Sequence, residues 1–225
     1  MIRRLLLACL GLPVLALAAG PPPPHGDNRN YDFALQLTDS KAVFHYDATP
    51  IDTAVQWIGV TWRERFGAQL ELGLLGGHSW VTQTQNPATA GFGLDGHHAG
   101  ISLHLTLLDA ENATLFFAAD HVYQNVDHRG ATQSVTLEWS ETRVRLGAVL
   151  APGERLRLYG GADYGRIEGK ERVTGDTPRT TEFDHPPAGG GFAGLDLNVD
   201  RDGYIGVETW SGLSRGGKIY FKRRF

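Results

Sequence analysis

The chain has 225 residues, a formal charge of −4 and a single cysteine. At about 150 residues per domain it holds one domain with a tail, and a hydrophobic share of 41% argues against a disordered chain. The mildly acidic balance without a long Lys/Arg run speaks against a nucleic-acid partner, and one cysteine excludes a disulfide framework and a Cys-rich zinc module. Glycine stands out: 29 residues, about 13% against the usual 7% or so, with neither a Gly-x-y period nor low complexity. Gly is poor in helix interiors and useful at turns and bulges, so the excess points to all-β structure.

Residues 1–18 read as a secretory signal peptide, with Arg3 and Arg4 ahead of an apolar run from Leu5 to Leu17 and a small-x-small site at Ala16-Leu17-Ala18. Leu6-Leu7-Ala8-Cys9 has the form of a lipoprotein box, but too few apolar residues precede Cys9 for a lipidation signal. Cleavage after Ala18 removes the only cysteine, leaving the fold to hold itself together without disulfides. Residues 19–30, with Pro21 to Pro24 in succession, read as an extended, flexible leader.

Residues 31–225 form the domain. No stretch keeps a helical apolar period over a dozen residues, whereas period-two alternation recurs. It suggests strands near 41–48, 53–65, 67–82, 99–109, 112–125, 132–150, 155–168, 190–199, 204–213 and 217–225. Phe33, Leu35 and Leu37 extend the first strand or form a periplasmic hairpin with 41–48. Along 132–150 the alternation slips between Trp139 and Thr142, which reads as a bulge at Ser140-Glu141.

Short connectors alternate with longer polar ones at 82–98, 126–131 and 169–188. A soluble barrel has no reason for that strict alternation; a membrane barrel with short periplasmic turns and long external loops has it by construction. The fold expected is therefore all-β, a closed antiparallel up-and-down transmembrane β-barrel of eight to ten strands, ten favoured. In lipid only a closed barrel lets a β-protein satisfy its backbone, with aliphatics outward and polar residues inward. The polar faces opposite the aliphatics carry Glu71, Glu138, Arg143, Arg145, Arg157, Asp163, Asp196 and Glu208, expected as ion pairs filling a narrow interior. Aromatics gather at strand ends, with Trp80, Phe92, Tyr123, Trp139 and Tyr164 at the long-loop side and Trp62, Phe66, Phe221 and Phe225 at the other, as two interfacial girdles would.

The C-terminal stretch resembles the assembly signal of Gram-negative outer-membrane proteins. Ser214, Gly216, Ile219 and Phe221 match its spacing and Phe225 ends the chain, although Arg223 stands where an apolar residue is usual. With the signal peptide, the chain resembles the small outer-membrane barrels of the OmpA/OmpX/OmpW membrane-domain class. The 33–46 segment and the strand around Gly153–Gly160 are also weakly similar to YfaZ-type proteins. The resemblance implies a cell outer-membrane location, contact with outer-membrane lipid and lipopolysaccharide, insertion by the barrel-assembly machinery, and a monomer.

Catalytic readings are weaker. His78 and Ser79 are adjacent, so they point to opposite faces of a strand. Asp127-His128 and Asp184-His185 lie in polar loops, where such dipeptides are common. His97, His98, His121, His128 and His185 lack a spacing that fixes two metal ligands on one face. Asp200-x-Asp202-Gly203 lacks the Glu of a calcium loop and reads as a tight turn, and Gly189-Gly190-Gly191 lacks the Lys-Ser/Thr of a phosphate loop. The reading is a non-enzymatic barrel without catalytic, cofactor or metal site, structural, surface-interacting or a very narrow pore. The alternatives are an outer-membrane hydrolase acting on lipid or peptide at the external rim, and a soluble periplasmic barrel binding a hydrophobic ligand.

Overall fold

The computed structural model describes residues 20–24, 29–47, 49–89, 91–130, 133–175 and 177–225. Residues 1–18, read from the sequence as a signal peptide, and part of the stretch read as a leader lie outside the described residues. Ten strands follow in order: β1 (Tyr31–Tyr46), β2 (Thr49–Phe66), β3 (Leu70–Gln83), β4 (Leu94–Ala110), β5 (Ala113–Arg129), β6 (Gln133–Leu150), β7 (Leu156–Gly175), β8 (Arg179–Asn198), β9 (Gly203–Ser211) and β10 (Arg215–Arg224). Each pairs antiparallel with its chain neighbours, and β1 closes the ring on β10 through pairs such as Leu35↔Phe221 and Leu37↔Ile219. Closure leaves no open edge, which is what a sheet needs in lipid.

Tyr31–Tyr46 is one continuous strand of the wall, and Phe33, Leu35 and Leu37 do not form a separate periplasmic hairpin. The polar stretches read as long external loops are mostly strand. The β5–β6 and β7–β8 hairpins stay paired as far as Arg129↔Ser134 and Val173↔Arg179, and among the described residues the longest stretch left outside the strands lies between β3 and β4.

The slip in β6 is not a bulge. Ser140 pairs with Tyr123 and Glu168, and Glu141 with Val122 and Ile167, without interruption. The register shifts lie instead between Thr106 and Leu108 of β4 and between Gly165 and Ile167 of β7. What changes along β6 is the environment. Toward its inner end Leu146 and Leu150 are exposed on the wall while Arg143 and Arg145 are buried in the lumen. Toward its outer end Val135, Leu137 and Trp139 are buried inside, and Thr136, Glu138 and Ser140 face out. The apolar residues change faces at an unbroken register because the strand passes from a lipid exterior to an aqueous one.

The same inversion occurs in β1, where Phe33, Leu35 and Leu37 face out and Ala42 and Phe44 face in. The lipid-facing belt includes Val60, Leu72, Leu74, Ile101, Leu146, Leu158, Leu197, Val207 and Ile219, all substantially exposed. Leu103 and Leu195 share that face by parity with the buried Ser102 and Asp196. Trp62, Phe66, Phe221 and Phe225 edge the belt at the inner side and Trp80, Tyr123 and Tyr164 at the outer side. Trp139 is not part of that girdle; it is buried and packs edge-on against Phe44.

Two glycines show how tightly the interior is packed. A Cβ on Gly206 would lie 2.2 Å from Cζ of Tyr220, and one on Gly194 would lie 2.4 Å from Cζ of Tyr159. Gly206→Ala is therefore expected to cost about 1–3 kcal/mol by overpacking. Gly153→Ala, in the β6–β7 turn with nothing within 4 Å, should stay within about 0.5 kcal/mol, both changes being measured by urea unfolding.

At the β8–β9 turn the Asp200 carboxylate accepts the backbone N–H of Asp202 (2.8 Å) and Gly203 (2.7 Å) and the Arg223 guanidinium at 3.0 Å. The two backbone donors, with Arg223, hold its carboxyl below the ordinary range, so the residue closes a turn.

Candidate functional site

The functional candidate is the lumen, because the wall is repetitive and the chemistry-bearing residues point inward. The charges expected there (Glu71, Arg143, Arg145, Arg157, Asp163, Asp196 and Glu208) are each less than a tenth exposed. Glu138 points the other way. It lies beyond the inversion of β6, facing water, and pairs with Lys170 at 3.1 Å and Arg172 at 3.5 Å on β7.

The charges form clusters that tie strands across the barrel. Glu208 of β9 accepts Arg145 of β6 at 2.8 Å and Lys218 of β10 at 3.1 Å, while the Tyr159 hydroxyl donates to it at 3.2 Å. Arg143 donates to Glu141 at 2.5 Å and to the Ser214 hydroxyl at 2.8 Å, and lies 3.5 Å from Asp163. Arg63 lies 3.6 Å from Asp32 and 3.4 Å from Glu71. Asp196 lies 3.5 Å from Arg157 and 3.9 Å from Lys222, and the Tyr220 hydroxyl donates to it.

Several of these partners are not among the lumen charges expected from the sequence: Asp32, Arg63, Glu141, Lys218 and Lys222 are all buried. The signal was present as parity. Lys218 and Lys222 alternate with Ile219 and Phe221, so they must face the lumen if those two face lipid. In the C-terminal segment Ser214 is buried, and Ile219, Phe221 and Phe225 are exposed on the wall.

Above the charges the lumen is apolar. Phe44, Val55, Trp57, Val81, Leu94, Val126, Leu137, Trp139, Ile167 and Phe183 form one buried cluster. Over it residues 86–89 fold inward. Asn86 donates to Glu171 and to Gln83 at 2.9 Å, Gln133 donates to the Ala88 carbonyl at 3.1 Å, and Thr89 is fully buried.

The inner mouth is occupied as well. Gly20 to Pro23 are buried inside the barrel, so the leader is not free along its whole length as its composition suggests. Four prolines carry carbonyls without N–H groups, and the lumen provides the matching donors: Arg157 donates to the Pro22 carbonyl and Lys222 to that of Pro21 at 3.1 Å.

His78 and Ser79 diverge, His78 on the outer face 3.7 Å from Asp95 and Ser79 inside. Ser79 meets a different histidine, its Oγ lying 2.9 Å from Nδ1 of His98 and 3.2 Å from the Gln124 side-chain oxygen. Inward positions on adjacent strands create this pair, which no sequence neighbourhood reveals. Ser79 is 0% and His98 3% exposed, so no substrate reaches either. His185 faces His45 with ring centroids 6.0 Å apart, and His128 stacks on Phe92 at 4.1 Å. Among the described residues no group of three or more His, Cys, Asp or Glu is arranged to hold a metal ion.

No family model matches the sequence, and no curated protein matches it either. Solved structures do. The β domain of the Bordetella autotransporter BrkA is similar over 88% of this chain and 100% of its own, at 12% identity and a TM-score of 0.52. An outer-membrane channel from Pseudomonas putida F1 matches over 92% of this chain and 100% of its own, at 10% identity and 0.51. The outer-membrane protease OmpT of Escherichia coli matches over 91% and 99%, at 10% identity and 0.50. An autotransporter domain, a channel and a protease share this wall, so it specifies architecture and not role. The chain has the fold of a ten-stranded Gram-negative outer-membrane β-barrel.

Proposed function

We propose that the chain is a non-enzymatic, closed outer-membrane barrel that acts by displaying the outer ends of β5–β8 at the cell surface. The observation that carries this reading is the inversion of the wall: outside the belt the strands continue as a paired sheet with an apolar inside and a charged outside. An extension built that way stays rigid in water without help from lipid. The capped lumen favours surface interaction over solute passage, and the sealed Ser79–His98 pair disfavours a hydrolase. The exposed aliphatic belt disfavours a soluble ligand-binding barrel, which would place those leucines inside. Outer-leaflet lipopolysaccharide is the proposed surroundings of the belt, and Ser214, Gly216, Ile219, Phe221 and Phe225 the proposed contact for the assembly machinery.

An epitope inserted after Gly130, in the β5–β6 connection, is expected to bind antibody on intact cells. The purified barrel in planar bilayers should show no stable conductance steps. Steady channels from the unaltered protein, or an epitope reached only after the outer membrane is broken, would sink the reading.

A further inference from the structure

Arg157 and Lys222 are 6% and 0% exposed, and both approach one carboxylate, that of Asp196. Their guanidinium and ammonium groups also lie 5.9 Å and 5.8 Å from the centre of the same Tyr204 ring. Two cations sharing one carboxylate in a dehydrated lumen leave a surplus of positive charge and of N–H donors, and a buried cation without enough oxygen partners is costly. The prolyl carbonyls of Pro21 and Pro22 supply those oxygens. An ordinary peptide would bring an N–H with each carbonyl into a site already rich in donors. Proline brings acceptors alone. Gly20, with φ of +73°, turns the chain where Tyr220 leaves no room, since a Cβ there would lie 2.5 Å from the hydroxyl.

From this fit we propose that the inner half of the lumen is a receptor for a proline-rich, N–H-poor peptide segment. Residues 20–24 are its resident ligand in cis, and Arg157 and Lys222 hold it by its carbonyl oxygens. The segment closes the periplasmic mouth and is displaceable, because its contacts with the lumen side chains are hydrogen bonds and packing, and its only covalent link to the wall is the chain that leads to β1. Withdrawn, it leaves a pocket open to the periplasm that takes a small oxyanion in its place, since the chemistry required is oxygen acceptors facing two cations. This inference does not depend on what the outer extension binds.

The test is a chain lacking residues 20–24, folded in detergent micelles and checked by heat-dependent gel mobility. Its Tm should fall by about 4 °C, the scale of one to two kcal/mol in a chain this long. At low millimolar concentration, where its general stabilising effect on folded proteins is small, sulfate should raise that Tm more than chloride at equal ionic strength, while the full chain should not distinguish the two salts. A synthetic peptide of residues 19–30 should act as sulfate does on the shortened chain, and Lys222→Gln in that background should abolish both responses. An unchanged Tm without a response to either probe overturns the proposal, as does an equal response from the full chain. Should the shortened chain fail to fold, restoration of the compact gel band by the peptide during refolding supports the proposal, and no restoration overturns it.

Discussion

Glu208→Leu is expected to destabilise the folded barrel by about 3–5 kcal/mol, the range found when one member of a buried ion pair is removed. Glu208 is 4% exposed and takes three donors from three other strands: Arg145, Lys218 and Tyr159. Leucine fills much of the same space and offers no acceptor, so the loss is electrostatic rather than a cavity. Two cations would then sit in the lumen without their main counter-charge. Glu208→Gln keeps a carbonyl oxygen for one of the donors and should cost less, about 1–3 kcal/mol. Replacing Glu208, Arg145 and Lys218 together by apolar residues should recover much of the loss, because the desolvation cost of all three charges disappears with them.

The comparison within the same molecule is Glu168→Ala. Its pair with Arg166 spans 3.0 Å, but both side chains are more than half exposed, and its loss should change stability by less than about 0.5 kcal/mol. Urea unfolding in phospholipid vesicles, followed by tryptophan fluorescence, separates these outcomes. A Glu208→Leu change of less than one kcal/mol would mean that the lumen is wet enough to solvate Arg145 and Lys218. The packed-lumen account would then fail.

How much of this was legible depended on which side of the membrane boundary a residue lay. Within the belt, alternation alone placed Leu146 out and Arg145 in, counting such segments gave eight to ten strands with ten favoured, and closure followed from what a sheet needs in lipid. Beyond the belt the same rule misled. Trp139 looked like a girdle aromatic and Glu138 like a lumen charge because the membrane code was carried past the point where it holds. The apparent slip between Trp139 and Thr142 was the boundary itself, written as a change of face at constant register. The 169–188 stretch looked like a loop because its outward positions include Lys170, Arg172, Glu182 and Asp184. Their inward neighbours Val173 and Phe183 carry the strand signal at low density. The Ser79–His98 contact and the prolyl segment in the lumen were out of reach for another reason: the first depends on the register between β3 and β4 and the second on which strands meet around the lumen, and alternation within a segment carries neither.

Leu146→Arg tests the belt directly and should cost about 2–4 kcal/mol, the scale for a guanidinium near the middle of the lipid-facing band of a barrel. Leu146 is 52% exposed on the outer face of β6, with Leu150 toward the inner end and Val144 toward the outer end on the same face. Ser140 lies on that face too, six residues outward. At about 3.3 Å per residue and a tilt near 40°, that is roughly 15 Å along the membrane normal. Half of a 25 Å band is about 12 Å, so position 140 clears the hydrocarbon and Ser140→Arg should cost no more than about 1 kcal/mol. The contrast between the two positions carries the argument, because both substitutions put the same side chain on the same strand and leave the lumen untouched. On a soluble barrel both sites would be wet and Leu146→Arg would be neutral or would improve solubility. Equal and small effects at 140 and 146, measured by reversible unfolding from vesicles, would refute the lipid-facing belt. A large effect at 146 alone locates the hydrocarbon boundary on β6 between the two, where its apolar residues change sides.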